Sequence, residues 1–226
     1  MGSSAEKRKY TYKDYINWND ETRCELIDGV VYAMAGASQT HQRVSRKILT
    51  QFDMFLKGKT CEIFHAPFDV RLNFDSFDDI IVQPDLLVIC DKSKLDSKSV
   101  LGAPEIIIEI LSPSNTRHDT IVKYQLYQRA QVREYWIVDP YNRTVQVYIL
   151  KNGKYGVGSI YREGDIIPVH VLDGCQIDLS DVFYDTVESE TDESESQLKQ
   201  KIGEALREIG LSDEQIEKIV KNFEEF

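Results

Sequence analysis

QPDLLVIC at residues 83–90, PEIIIEILS at 104–112 and RHDTIVKYQLY at 117–127 decide how this chain reads. The first two segments are strand-prone, and each carries an acid, Asp85 and Glu109, where a buried strand favours none. Carboxylates among Val, Ile and Leu cost several kcal/mol unless a cation or hydrogen bonds compensate them. A divalent metal is the simplest compensation. Along 105–111 the side chains alternate. Glu105, Ile107, Glu109 and Leu111 share one face, and Ile106, Ile108 and Ile110 share the other. The isoleucine face reads as core and the Glu109 face as the one nearer a cleft. Magnesium suits such a pair of acids, because it takes one or two carboxylates, keeps waters and accepts phosphate oxygens. The third segment reads as a helix capped by Asp119 and running to about Ala130. Lys123 and Tyr127 lie one turn apart on it. Packing across the sheet would aim Lys123 at the acids, while Tyr127 reads as core packing. The step from Asp119 to Lys123 also permits an ordinary helical ion pair, worth about 0.3–0.5 kcal/mol.

Working outward, residues 10–28 read as a short helical lead-in, Asp28-Gly29 as a turn, and VVYAMA after it as a strand. Val44, Ile48, Leu49, Phe52 and Phe55 recur at helical spacing, which predicts an amphipathic helix over 38–57 with Ser38 as its cap. Short strands near 61–64 and 68–72 precede those at 85–90 and 105–111. EYWIVD is a strand and TVQVYIL alternates as another, joined by a turn at Asp139-Pro140-Tyr141-Asn142. Residues 154–184 read as a small β-rich end. The middle is therefore helix, three strands, helix, strand: an α/β arrangement around a mixed sheet.

With 226 residues, 42% of them hydrophobic, the chain has enough for one sizeable core, and the reading is one domain, 1–184, plus extensions. Of the net charge of -11, the stretch from Asp185 onward carries 13 acids against 5 bases, or -8, leaving -3 for residues 1–184. Bulk charge of the main domain thus says little about nucleic acid, and a local basic cleft acts within a Debye length of about 8 Å. Residues 185–196 read as an acidic linker and 197–226 as two short amphipathic helices, able to bind the chain's own domain or a protein partner. Cys24, Cys61, Cys90 and Cys175 show no zinc-ligand spacing and read as reduced, mostly buried thiols. The N-terminus carries no secretory pattern, and no apolar run approaches the ~20 residues of a membrane helix, so a cytoplasmic protein without membrane contact is expected.

QPD, a strand carrying EILS, then Asp119-x-x-x-Lys123-x-x-x-Tyr127 and EYWIVDP together resemble the Uma-type restriction-endonuclease family, a domain-of-unknown-function group of the PD-(D/E)XK nuclease superfamily. ELIDG at 25–29 matches the family's early segment, and the resemblance covers most of residues 10–180. It implies a restriction-endonuclease-like mixed β-sheet core, α-β-β-β-α-β, with extra β-strands and a C-terminal helical extension. It also implies Asp85 and Glu109 as ligands of Mg²⁺ or Mn²⁺, with the backbone carbonyl at Ile110 as a further donor. The superfamily's lysine would stand two residues after Glu109, where this chain has Leu111. In similar proteins it has moved to the next helix, and Lys123 is the matching position. Glu25 resembles an extra acid that some members place near the metal or its water.

His41 is a candidate phosphate contact, although a surface helix residue is the plainer reading. His65, His118 and His170 lack ligand spacing, and Trp136 reads as packing or cleft wall. Arg43, Arg46 and Lys47 read as a solvated helix face. Lys92, Lys94 and Lys98 form a basic loop expected beside the active edge, where it would meet the DNA backbone. The function expected is a metal-dependent endonuclease hydrolysing phosphodiester bonds in DNA, with a homodimer plausible because cutting both strands usually takes two sites. Two other readings stand beside it. One is a catalytically silent nucleic-acid-binding module of nuclease fold, which Leu111 keeps open. The other is an interaction protein acting through the C-terminal helices.

Overall fold

The computed structural model describes residues 8–18, 23–34, 36–112 and 118–184. A one-turn helix, α1 (Tyr12–Tyr15), opens it, with Asp14 accepting hydrogen bonds from the backbone and hydroxyl of Thr11. The helical lead-in expected to run to residue 28 stops there, and a hairpin takes over. β1 (Cys24–Ile27) and β2 (Val30–Ala33) pair antiparallel. β1 buries three residues in a row, a pattern that no period-two alternation announces. Asp28 (φ 50°) and Gly29 (φ 77°) form its two-residue turn, whose left-handed geometry matches the twist of the strands. A Cβ on Gly29 would also come within 2.8 Å of the Lys9 side chain.

α2 (Gln39–Leu56) starts where expected, with Ser38 Oγ accepting from the His41 amide at 3.1 Å. Val44, Ile48, Phe52 and Leu56 form its buried stripe. The chain then lays down β3 (Glu62–His65), β4 (Asp69–Arg71), β5 (Ile81–Val82), β6 (Leu86–Ile89), β7 (Ser99–Leu101) and β8 (Ile106–Ile110). A π-helical turn, His118–Lys123, runs into α3 (Tyr124–Arg129). Asp119 therefore lies inside the first turn of this helix and is not its cap. β9 (Glu134–Asp139) and β10 (Thr144–Lys151) come next, and Asp139 Oδ1 accepts the amides of Tyr141 and Asn142 to close the turn between them. β11 (Lys154–Tyr155), β12 (Ser159–Arg162), β13 (Ile166–Pro168), β14 (Gln176–Asp178) and α4 (Leu179–Phe183) complete the described residues.

The main sheet has the order β11-β10-β9-β8-β6-β3, with β12 also pairing β10. A second sheet runs β2-β1-β5-β4-β7, and β13 pairs β14. β8 and β9 are parallel, so a crossover must join them, and the α3 segment supplies it. α2, β3, β6, β8, α3 and β9 thus make the expected α-β-β-β-α-β core, with the remaining strands as additions. The linker at 185–196 and the helices expected at 197–226 lie outside the described residues. Alternation along β8 is as read, but both faces are core. Ile106, Ile108 and Ile110 pack in the cluster containing α2, and Ile107 and Leu111 in the cluster containing Tyr127 and Tyr135.

One expectation fails outright. Cys61 and Cys90 are not reduced thiols but form a disulfide, one step beyond the Glu62–Ile89 pair of β3 and β6. Strand register places opposite each other two cysteines that sequence spacing left unrelated. Cys24 and Cys175 are free. Among the described residues no helix is long and apolar enough to cross a membrane.

Candidate functional site

β6 and β8 run antiparallel with Leu86 opposite Ile108. One step further in the same register stands Asp85 beside Glu109, and the Ile110 amide donates to Asp85 Oδ2 at 2.7 Å. Glu25 arrives from the second sheet. Leu26 of β1 pairs Ile81 of β5, which brings Glu25 over the QPD segment, where the Gln83 amide donates to its Oε1 at 2.9 Å.

Lys123, the last residue of the π-helical turn, reaches both acids. Its Nζ is 3.0 Å from Glu25 Oε1 and 3.0 Å from Glu109 Oε1. One turn on, the Tyr127 hydroxyl donates to the same Glu109 oxygen at 2.6 Å. Glu25, Glu109 and Lys123 are 3%, 4% and 4% exposed, so the ammonium offsets part of the carboxylate charge and the Gln83 amide and Tyr127 hydroxyl support the rest. Wide helical turns of this kind recur at functional sites. Leu111, by contrast, is buried among apolar side chains.

Asp85, Glu109, Ile110, Lys123 and Glu25 all line one cleft of about 230 Å³, together with Arg23, Gln83, His41 and Ser112. Burial, and after it the charges of Glu109 and Glu25, push the Tyr127 phenol well above its usual range, so it stays a hydrogen-bond donor. On the outer side Gln83 Nε2 donates to Asp69 Oδ1 at 2.8 Å and to the Tyr15 hydroxyl at 3.1 Å, and Gln83 Oε1 faces Arg23. Burial raises the Asp69 carboxyl despite these bonds.

The donor set is suited to a hard dication. Asp85 uses only Oδ2 for hydrogen bonds among the described residues, so Oδ1 is left to ligate, and Glu109 and the Ile110 backbone share the cleft. Among the described residues no three His, Cys, Asp or Glu side chains cluster as a closed metal centre would. A Mg²⁺-type site does not need them, since it is completed by water and substrate.

Other candidates move. His41 is no surface residue: its Nε2 lies 3.0 Å from Asp85 Oδ2, and its Nδ1 is buried without a hydrogen-bond partner among the described residues. Tyr127 does more than pack. The loop with Lys92, Lys94 and Lys98 leaves β6 at the end opposite Asp85, a strand's length away, and is not at the cleft. There Lys92 pairs with Glu62, and Lys94 donates to the Ala103 carbonyl. Lys47 is engaged by Asp181. Trp136 is fully buried, with Nε1 donating to Glu134, and is no cleft wall. His65 and His170 are exposed, and the His118 side chain lies outside the described residues. Arg23 and Gln83 were missed. The available signal was parity, since each stands two residues before a predicted site acid and shares its side of an extended segment.

The family model Uma2, described as "Putative restriction endonuclease", matches residues 11–180. Two proteins of Synechocystis sp. are similar in sequence. Uncharacterized protein slr1290 is 29% identical over 149 residues, covering 64% of this chain and 76% of that protein. Uncharacterized protein sll1609 is 26% identical over 149 residues, covering 64% and 82%. A crystal structure from Anabaena variabilis, described as a putative nuclease belonging to DUF820, superposes with a TM-score of 0.64 at 17% identity. It covers 77% of this chain and 97% of its own. That likeness is one of fold.

Proposed function

This chain belongs to the Uma2 family of restriction-endonuclease-like proteins, and from that premise we propose that it is a Mg²⁺- or Mn²⁺-dependent endonuclease that hydrolyses phosphodiester bonds in DNA. One observation carries the reading: Asp85, Glu109, Lys123 and Glu25 come from four separate segments and meet at one cleft. Asp85, Glu109 and the Ile110 carbonyl would hold the ion. When bound, the dication would lower the pKa of a water and offset the negative charge of the phosphate.

The chain's own residues have distinct tasks. Lys123 carries the ammonium that the superfamily usually places at the position of Leu111, and from its place 3.0 Å from Glu109 it would hold the attacking water. Glu25 holds that ammonium from the other side and itself accepts the Gln83 amide. Tyr127 fixes the Glu109 carboxylate by donating to it. His41 and the Ile110 amide both engage Asp85 Oδ2, which would leave Oδ1 for the ion. Cleavage of both strands would be the work of a homodimer, and the cytoplasm is the compartment we assign. The Cys61–Cys90 disulfide pulls the other way on the compartment, and thiol titration of protein trapped directly from cells decides between the two.

The test is incubation of the purified protein with plasmid, single-stranded DNA and RNA in Mg²⁺ or Mn²⁺. Cleavage that disappears in Asp85→Ala supports the reading. If no substrate is cut in an Asp85-dependent way, the enzyme reading is wrong. Metal and nucleic-acid binding without turnover would then leave a silent binding module.

A further inference from the structure

The cleft holds three acids, Glu25, Asp85 and Glu109, against Lys123 and Arg23. Lys123 is committed to two carboxylates. Arg23 is exposed at the rim, and no carboxylate of the described residues pairs with it. Its partner is a neutral amide oxygen: Nη2 and Nε lie 2.9 and 3.3 Å from Gln83 Oε1. A guanidinium has five N–H donors, so most of the fork and the whole charge remain to be used. The amide cannot be turned round. Both Gln83 Nε2 hydrogens are given to acceptors, Asp69 Oδ1 and the Tyr15 hydroxyl, and a flip would set its oxygen against the Asp69 carboxylate. Gln83 therefore holds in one orientation a cation that no carboxylate of the described residues compensates, two residues from Asp85 and beside Glu25.

We propose that Arg23 grips a backbone phosphate of the nucleic acid and that Gln83 is its positioning residue. The proposal rests on the nuclease reading above and adds to it the contact that brings a polyanion into an acid-lined cleft. Guanidinium and phosphate suit each other, because the planar fork can donate to two oxygens at once.

The experiment is fluorescence anisotropy of a labelled duplex oligonucleotide and of its single strand. Ca²⁺ replaces Mg²⁺, and a salt series is run for wild type, R23Q, R23K, Q83M and R23Q/Q83M. R23Q is expected to bind about 10- to 100-fold more weakly. The slope of log affinity against log salt should shrink by about 0.9 on the duplex. R23K should keep the slope and recover part of the affinity. R23Q/Q83M should bind no more weakly than R23Q, because Gln83 acts through Arg23. Mn²⁺ affinity by calorimetry and the melting temperature of R23Q should match wild type. If R23Q keeps wild-type affinity and slope while wild type binds, this proposal falls and the nuclease reading stands. An R23Q that loses Mn²⁺ affinity also overturns it. A wild type that binds no nucleic acid sinks both.

Discussion

Lys123→Met tests the buried charge cluster directly. The wild-type group has one ammonium between two carboxylates, each 3.0 Å from Nζ and almost wholly removed from water. Methionine fills similar volume and removes the charge, leaving two like charges facing the gap. Breaking a buried pair by removing one partner costs about 3–5 kcal/mol. Here each acid keeps at least one other donor, the Gln83 amide on Glu25 and the Tyr127 hydroxyl on Glu109, which places the loss nearer about 3 kcal/mol. With an m-value of about 2 kcal/mol/M, the urea midpoint should fall by roughly 1.5 M. A second substitution sharpens the result. Glu25→Gln in the Lys123→Met background removes one of the stranded charges, so the double variant should be more stable than Lys123→Met alone, by about 1–2 kcal/mol. A Lys123→Met protein with the wild-type midpoint would refute the reasoning. So would a double variant in which the two losses simply add.

The same contacts set other outcomes. Tyr127→Phe removes a 2.6 Å bond to Glu109 and should cost about 1.5–3 kcal/mol in urea unfolding, while the edge-to-face packing on Tyr135 is kept. Burial pushes the Cys175 thiol up from its ordinary 9.0 to about 11, so the folded state holds this proton longer than the unfolded chain does. Its contribution is whole below about pH 9 and is lost as pH rises toward about 11, at most about 2–3 kcal/mol. Midpoints of Cys175→Ala should therefore fall less than wild type between about pH 8 and about pH 10.5. Reduction of Cys61–Cys90, which closes a separation of 29 residues, should lower stability by about 3–4 kcal/mol at most. Mass spectrometry of the unreduced protein alkylated in denaturant should find two alkylated cysteines, Cys24 and Cys175, and four would disprove the pairing.

Asp85 and Glu109 were legible because an acid inside a run of Ile, Leu and Val stands out against everything around it. Lys123 was legible through its place on the helix after the Glu109 strand together with the family resemblance, and Ser38 through its capping chemistry. β1 was not, because a short strand buried on both sides leaves no periodic trace. Arg23 and Gln83 stayed hidden with it, since their importance depends on β1 crossing the QPD segment. His41 looked like surface because nothing local says which way the first turn of α2 faces. The lysine loop follows Asp85 closely in sequence but not in space, because β6 lies between them and carries the loop to its far end.

By itself, then, the sequence determined the order of the core elements, the strand that carries Glu109 and the helix that carries Lys123, because propensity, periodicity and capping act within a few residues. Tertiary structure alone decided that Glu25 and Glu109 share one ammonium, that Asp85 is held by His41 and the Ile110 amide, that Cys61 meets Cys90, and that Arg23 meets the Gln83 amide oxygen at the rim. Each of these is a contact between distant segments, set by strand register and by the packing of one sheet against another.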